Sequence, residues 1–476
     1  MNSPTNSTAI ISRLAQGAAV FLILLAGCTV GPNYKRPQVA VAPTFRGADN
    51  AEAATADKAS LGDQNWAEVF HEPELQTLIR TALTNNYDVR IAAQRVLEQQ
   101  AQVRIARSQE FPTLSVGGTG IGAEVPDSLS NTLGGSTLSA GSFNLSAAWT
   151  PDFWGLYRRQ SEAARAQLLA QVWAQRAVRM TLIEQVASAY IQLRALDRQL
   201  AIAKQTLGIR EQSVDLTRHL SDAGSAPLSD LRQAEELQYA ASSQIPQLEQ
   251  QIQQQENALR LLMGENPGPI ARGDDNVLAP PPQNPPVGLP SRLLERRPDI
   301  LEAEQQLVAA NAQIGVARAQ FFPQLSISAS GGVGGNDWSN LFDPSGHTIY
   351  GIGSLTQAIF EGGKLRGQLQ FSEHQKEEMV LNYQKTIAGA FRDVSNSLIA
   401  LDKTRATREQ ETLLVAAAQD ATRLARTRYQ GGATSYLEVL TTDSDLFSAQ
   451  LSLVNAQENE ALSLVQLYGS LGGGWE

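Results

Sequence analysis

The sequence predicts an α+β membrane protein that assembles as a trimer, in which a 12-stranded transmembrane β-barrel is continuous with a long periplasmic α-helical barrel. Three observations in the 476 residues lead to this fold class. The chain is internally duplicated, each half carries two short strands of membrane-spanning length, and each half carries a helix longer than an ordinary domain needs.

Residues 1–27 have the features of a lipoprotein signal peptide. Arg13 precedes an apolar run over residues 18–26, which ends in the small-residue motif Leu25-Ala26-Gly27-Cys28. The apolar run has about half of the roughly 20 residues that a membrane-spanning helix needs, so we expect cleavage rather than retention as an anchor helix.

Cys28 is the only cysteine of the chain, which excludes an intramolecular disulfide. Its position after the cleavage motif predicts lipidation by a thioether-linked diacylglycerol and an N-acyl chain, which together give durable anchoring. The alternative is a stray buried cysteine, and we expect no other cofactor. Thr29 stands where an aspartate often signals inner-membrane retention, so the sequence favours the outer membrane, with residues 28–72 as an N-terminal anchor segment.

An internal repeat is visible without gaps at an offset of 211 residues. Within 28 positions, 11 residues of the first half return in the second half. The members in the first half are Asp88, Ala92, Gln94, Ala101, Ala106, Arg107, Gln109, Phe111, Pro112, Leu114 and Ser115. We therefore predict a first repeat over residues 73–279, a proline-rich linker over residues 280–290 and a second repeat over residues 291–470.

Each repeat is predicted to run helix, two strands, long helix and return helix. Residues 73–110 are rich in Ala and Gln and suit a helix, which Phe111-Pro112 stops. The strands have alternating hydrophobicity and are predicted at residues 113–121 and 142–150, then at 324–333 and 349–360.

Strands of about 9 to 11 residues have the length of a tilted transmembrane β-strand. Aromatic residues gather at their ends, as membrane interfaces favour, and the loops 122–141 and 334–348 would face outside. A soluble hairpin is the alternative. Because four strands cannot close a barrel and an open edge is not tolerated in lipid, several copies must contribute. Three copies give twelve strands and a passable lumen.

The long helices are predicted at residues 155–222 and 362–430, and each would span about 100 Å. The return helices, 228–263 and 436–468, are about half as long. Their apolar positions follow a 3-4 repeat that predicts a coiled-coil seam. The seam positions are Leu231, Ala234, Gln238, Ala241, Ile245, Leu248, Ile252, Gln255, Leu259 and Leu262, then Leu437, Leu440, Ser444, Phe447, Leu451, Val454, Glu458, Ala461 and Val465.

Composition and motifs argue against two function classes. The net charge of −10 and the pI of about 5.1 disfavour nucleic acid as a partner. No nucleophile elbow, phosphate loop or dinucleotide fingerprint occurs, so we expect no enzyme. The four histidines have no metal-site spacing and are expected on the solvated surface: His71, His219, His347 and His374.

Three motifs resemble the outer membrane factor (TolC-like) family, in its NodT-type lipoprotein branch. The first is Cys28-Thr29-Val30-Gly31-Pro32-Asn33-Tyr34 with Arg36-Pro37, the second is Leu289-Pro290-Ser291-Arg292-Leu293-Leu294-Glu295-Arg296-Arg297-Pro298-Asp299-Ile300, and the third is Trp66 with Phe70, Pro73, Leu75 and Ala82-Leu83. The resemblance implies a homotrimeric outer-membrane channel of a tripartite efflux pump, fed by an inner-membrane transporter and a periplasmic adaptor protein.

The resemblance also implies a gate near the two hairpin turns. Tyr429 matches a tyrosine on the second hairpin, and Asp230 matches an aspartate on the first hairpin of a neighbouring protomer. Thr434 stands where some members have an arginine. The turns themselves would contact the adaptor, although their glycines could simply cap helices; the residues expected at these tips are Gly224, Ser225, Gly432 and Ala433.

Two further positions match the constriction of the family. Leu437 matches a leucine ring of lipoprotein members, and Glu438 matches an acidic ring, whereas the second acidic position holds Thr441. Three copies of Glu438 at one level would attract cations. The alternative is that Glu438 is a solvated helix residue.

The expected function is a passive exit duct for small toxic compounds or drugs, opened by an iris-like motion of the periplasmic hairpins. One alternative with the same fold is a type I-like duct for protein or peptide secretion. Another is a structural outer-membrane lipoprotein whose strands never close.

Overall fold

The computed structural model of the chain describes residues 29–39, 41, 44–47, 60–124, 137–273, 278, 280, 285–335 and 340–475. The predicted signal peptide, Cys28, most of the two predicted outer loops' central residues and part of the proline-rich linker lie outside the described residues.

The described residues form nine α-helices and four β-strands, together with two short 3-10 turns. The helices are α1 (Trp66–Val69), α2 (Pro73–Asn85), α3 (Tyr87–Ser108), α4 (Leu156–Asp222), α5 (Leu228–Leu262), α6 (Pro290–Arg296), α7 (Pro298–Ala319), α8 (Lys364–Gln430) and α9 (Tyr436–Ser470). The strands are β1 (Thr113–Glu124), β2 (Thr137–Trp149), β3 (Gln324–Gly335) and β4 (His347–Thr356). The chain is thus mostly helical with a small sheet.

The chain divides into two compact units. The sheet unit contains Met1–Pro37, Val96–Ala170 and Ala303–Tyr383, and the helical unit contains Gln38–Arg95, Gln171–Glu302 and Gln384–Glu476. All four strands belong to the sheet unit, whereas both hairpin turns between long and return helices belong to the helical unit.

The sheet is a four-stranded antiparallel meander in the order β1-β2-β3-β4. Its register places apolar residues on one face, because Val116 lies opposite Leu145 and Leu325 lies opposite Leu355. The other face is polar: the Ser115 and Ser146 hydroxyls are 2.7 Å apart. The apolar face is uncovered in the single chain, with Leu114 at 74% and Ile349 at 91% exposure.

The strand bounds differ from the predicted ones on the loop side. The β1–β2 ladder continues to the pair Glu124 and Thr137, so both strands extend into the predicted loop 122–141. Backbone pairing needs no particular side chain, and the Gly- and Ser-rich sequence there does not prevent it. β4 begins at His347 and ends at Thr356 instead of spanning 349–360, because its partner Gln324 follows Pro323, which has no N–H to extend the ladder.

The single helix predicted over residues 73–110 is wrong, since the structure has α2 and α3 in its place. Asn86 lies between them in an extended backbone conformation, with ψ of 134°. Its side-chain oxygen accepts hydrogen bonds from the backbone N–H of Asp88 at 2.8 Å and of Val89 at 3.1 Å. Asn86 is therefore an N-cap that starts a new helix.

The long and return helices form two hairpins, which we name the first hairpin (α4 and α5) and the second hairpin (α8 and α9). Both have a 67-residue long helix and a 35-residue return helix. Several seam positions of α5 are buried, as the 3-4 spacing predicts; they are Leu231, Ala234, Ala241, Leu248, Ile252 and Leu259.

The predicted seam of α9 is wrong in its first turn. Leu437 is 60% exposed, whereas Tyr436 and Val439 are buried at 5% and 6%. Tyr436 packs into a cluster with Val214 and Ala425, and this aromatic side chain turns Leu437 away from the core. None of the helices in the described ranges is long and apolar enough to cross a membrane.

Candidate functional site

The two hairpin turns have the same backbone geometry. Gly224 and Gly432 adopt positive φ values of 69° and 72°, in the left-handed region that glycine tolerates. The following N–H groups close the turns in the same way: Ser225 donates to the Leu220 carbonyl and Ala433 to the Arg428 carbonyl, both at 2.8 Å. The predicted tip residues are exposed within the single chain, which leaves them available for contact.

Glu438, in the first turn of α9, is held by two side chains of its own hairpin. Its Oε1 accepts a hydrogen bond from Nη1 of Arg428 at 2.7 Å, and its Oε2 accepts one from the Thr434 hydroxyl. Arg428 and Glu438 remain 55% and 36% exposed in their side chains, so the pair is solvated. The acidic position predicted for the constriction therefore carries a cation beside it, which sequence reasoning missed.

Tyr429 and Asp230, the predicted gate pair, are brought together in one chain. Burial raises the pKa of Tyr429, and the nearby Asp230 carboxylate raises it further, which places the two groups within electrostatic reach of each other. The Tyr429 ring also packs at 5.1 Å from the ring of Tyr436. The aspartate expected from a neighbouring protomer is thus already close to the tyrosine of its own chain.

Leu437 projects out of the apolar cluster beneath the turns, at 60% exposure. The cluster lies between the two hairpins: Val214 and Leu231 come from the first hairpin, and Ala425 and Val439 come from the second. The structure thus brings the four predicted gate residues onto one end of the helical unit, with Leu437 and Glu438 on the same helical turn.

A buried ionic cluster below the turns was not predicted. Asp443 of α9 accepts a hydrogen bond from Nε of Arg210 in α4 at 3.0 Å and one from Nη2 of Arg426 in α8 at 2.9 Å. Arg210 also donates to the Leu237 carbonyl of α5 at 2.8 Å. A repeat signal could have drawn attention to it, because an arginine and an acid recur at the same two helical positions of the first hairpin, Arg218 and Glu235 (among other pairs).

The described part of the anchor segment is bound within the sheet unit. Arg159 of α4 donates to the carbonyls of Val30 and Gly31, each at 3.3 Å, and to the Asn33 side chain at 3.0 Å. Gly31 has a φ of 107°, and an added Cβ would lie 2.5 Å from the Cα of Gly315. Only glycines allow this close approach of the segment to α7.

The next residues of the anchor segment are held by charge. Glu304 of α7 accepts hydrogen bonds from the Tyr34 hydroxyl at 3.1 Å and from Arg36 at 2.9 Å. Arg36 also donates from Nε to the Tyr383 hydroxyl at 3.1 Å. The segment that follows Cys28 is therefore fixed by at least two groups of polar contacts.

No group of three metal-ligating side chains occurs among the described residues. The four histidines are exposed. The polar contacts at the turns and in the ionic cluster position charges and connect helices, and none of them places a nucleophile beside a general base.

Comparison with known proteins places these features in a family. A family model described as outer membrane efflux protein matches residues 78–265 and again residues 289–473. A probable efflux pump outer membrane protein, TtgC of Pseudomonas putida, is 36% identical over 463 residues, which is 96% of this chain and 95% of the relative. The cation efflux system protein CusC of Escherichia coli is 34% identical over 459 residues, 95% of this chain and 97% of the relative.

Solved structures show the same similarity in three dimensions. A crystal structure of CusC has a TM-score of 0.83 at 31% identity and covers 94% of this chain and 100% of its own. The open state of the Neisseria gonorrhoeae MtrE outer membrane channel has a TM-score of 0.84 at 29% identity, covering 94% of this chain and 99% of its own. Sequence and structure lead to the same group of proteins.

Proposed function

This chain belongs to the outer membrane efflux protein family, and on that premise we propose that it is the outer-membrane channel of a tripartite efflux pump. It is a passive exit duct for small toxic compounds or drugs. A periplasmic adaptor protein and an inner-membrane transporter deliver the cargo and the energy. Members of this family act as channels, and the described residues offer no arrangement that would add catalysis to that role.

One observation supports the channel assembly most strongly: the sheet has an uncovered apolar face and two edge strands without partners inside the chain. The apolar face suits lipid, and the opposite face, which carries Ser115 and Ser146, suits a water-filled lumen. In lipid the edges of β1 and β4 require partners, because unpaired N–H and C=O groups are costly there. Copies of the chain supply them, and three copies close a 12-stranded barrel.

The helical barrel follows from the duplicated hairpins. Both hairpins have helices of the same lengths, and both place their turns in the helical unit. Three chains supply six such hairpins together with the shorter entry helices. We infer that they line a periplasmic duct continuous with the barrel and that each chain arose by duplication.

The lipid anchor at Cys28 is part of the proposal. Residues 29–37 are bound within the sheet unit through Arg159 and Glu304, so an acyl chain attached one residue earlier would be delivered beside the membrane-spanning strands. This supports an outer-membrane location with the anchor fixed to its own protomer.

The gate is proposed at Asp230, Tyr429, Leu437 and Glu438. The exposed Leu437 would narrow the mouth, and the Tyr429–Asp230 neighbourhood would hold the hairpins together. The turns, with Gly224, Ser225, Gly432 and Ala433, would contact the adaptor, because they are the exposed ends of the helical unit.

Deletion of the gene tests the pump function. The deletion strain is expected to become more sensitive to a panel of toxic compounds and to accumulate a fluorescent pump substrate, and plasmid-borne wild-type protein should restore export. Unchanged sensitivity and accumulation, in a host without a second channel of this family, would contradict the proposal.

Glu438→Lys tests the gate assignment in planar lipid bilayers. Lysine removes the negative charge and repels Arg428, so the cation preference measured from the reversal potential should fall or invert. The matched control is Asp420→Lys, since Asp420 is a solvated acid of α8 that pairs with Arg423 and lies away from the turns. Equal selectivity in the two variants would remove Glu438 from the gate.

A further inference from the structure

The Arg210–Asp443–Arg426 cluster joins all four helices of the two hairpins. Arg210 lies in α4 and Leu237 in α5, whereas Arg426 lies in α8 and Asp443 in α9. The side chains of Arg210 and Asp443 are only 5% and 12% exposed, so their bond is shielded from water. A shielded charge-assisted bond between two elements resists their separation far more than a solvated one does.

The bonds of this cluster divide into two kinds. Arg210 to Leu237 stays inside the first hairpin, and Arg426 to Asp443 stays inside the second. The Arg210–Asp443 bond crosses between the hairpins, as does the packing of the Arg210 guanidinium on the Phe447 ring at 5.2 Å. A motion of one hairpin against the other therefore breaks the crossing contacts and preserves the other two.

This division has an energetic consequence. When the crossing bond breaks, Asp443 keeps Arg426 and Arg210 keeps the Leu237 carbonyl, so neither charge is left without a partner. A buried charge stripped of all partners would make separation prohibitively costly. With a second partner for each charge, separation is costly and reversible.

We propose that Arg210 and Asp443 form a reversible latch that holds the two hairpins of one protomer together, and that Arg426 is the partner that receives Asp443 when the latch opens. The inference rests on the proposed channel function, because the motion it controls is the opening of the mouth. All three side chains are positioning residues, and none of them needs to touch the cargo.

The latch predicts opposite effects for the two ends of one ion pair. Asp443→Asn weakens the crossing bond, so the open probability at a fixed voltage should rise about tenfold, the equivalent of about 1.4 kcal/mol. Arg426→Gln leaves the crossing bond but removes the second partner of Asp443, so the open probability should fall about threefold. In the double variant Arg426 has nothing to receive, and the result should equal that of Asp443→Asn.

The first hairpin supplies a matched control. Glu235 occupies the position of Asp443 on its return helix and is similarly shielded, at 15% side-chain exposure. Its partners, Arg218 and Arg232, lie in the same hairpin, so Glu235→Gln breaks no crossing bond. Its open probability should remain that of the unmodified protein.

The experiment compares single-channel recordings of the full-length protein and the four variants in planar bilayers, after a gel assay for the intact oligomer. Equal directions for Asp443→Asn and Arg426→Gln, or an unchanged Asp443→Asn, would overturn the latch. If Asp443→Asn does not assemble, Arg426→Gln decides alone: a fall supports the latch, and no change or a rise overturns it. Absence of current from the unmodified protein would instead contradict the channel function.

Discussion

The two hairpins share one backbone design and differ in their chemistry. Each element of the second hairpin lies 208 residues after its counterpart in the first, and the turn glycines have nearly the same φ. At equivalent positions, however, Tyr429 faces Ser221 in the alignment, and Tyr436 corresponds to Leu228. The acids Asp230 and Glu438 correspond to each other, but only Glu438 has a partnering arginine in the turn.

The difference separates what holds the hairpins from what they do. Helix length, seam spacing and turn geometry are common to both, so these features provide the shared framework. The aromatic pair, the Arg428–Glu438 pair and the ionic cluster are centred on the second hairpin, which makes it the side chain donor of the gate. The first hairpin contributes Asp230 and Arg210 as its partners.

The largest expected effect comes from a buried carboxylate that the first hairpin lacks. The Glu460 side chain is 1% exposed and pairs with Arg408 at 2.5 Å and Arg405 at 3.4 Å, whereas the equivalent position holds the buried Ile252. Glu460→Ile should destabilise the protein by about 3 kcal/mol, because two partly buried guanidinium groups lose their acceptor.

Chemical unfolding in detergent, followed by circular dichroism, measures this loss. Ile252→Val is the control in the first hairpin and should cost about 1 kcal/mol, the ordinary loss for one buried methyl group. If Glu460→Ile costs no more than Ile252→Val, then the second hairpin does not depend on its ionic interior.

Intermediate and equal effects are expected at the turn glycines. Alanine at either position meets no atom within 4 Å, so the cost comes from the positive φ alone and should be about 1 kcal/mol for both Gly224→Ala and Gly432→Ala. Thermal unfolding midpoints of the two variants should therefore agree. A clearly larger loss at one turn would show that the two backbones are not equivalent.

The smallest effect concerns pH. Burial raises the pKa of Glu458 in α9, whereas its counterpart is the exposed and uncharged Gln250. A carboxyl with a raised pKa binds its proton more tightly in the folded state, so its contribution makes stability fall as pH rises from the ordinary carboxyl pKa through the raised value.

Glu458→Gln should flatten the decline of the unfolding midpoint between about pH 4 and pH 7. The decline should not vanish, since burial also raises the pKa of Glu184 and of Glu302. An identical slope in the variant and the unmodified protein would show that Glu458 has no such role.

Much of the framework could be predicted from sequence because it depends on periodic features. Strand alternation, the 3-4 seam and the Gly at each turn are local signals, and they place the helices and strands within a few residues. Asn86 shows the limit: it lies inside an Ala- and Gln-rich run, and its capping role is visible only once the chain turns there.

The site was less predictable because its contacts join distant residues. Tyr436 displaces Leu437 from the seam through packing with another hairpin, which spacing alone does not reveal. Arg428 reaches Glu438 across the turn, and Arg210 reaches Asp443 from 233 residues away. Resemblance to the family identified the gate positions, but it did not identify their partners in this chain.

The number of chains in the detergent-solubilised particle tests the central claim most directly. That claim is that the open sheet edges are completed by copies of the same chain. Size-exclusion chromatography with light scattering should give three chains per particle, after the mass of bound detergent is subtracted. A particle with one chain, or a single chain that stays dissolved without detergent, would contradict the account.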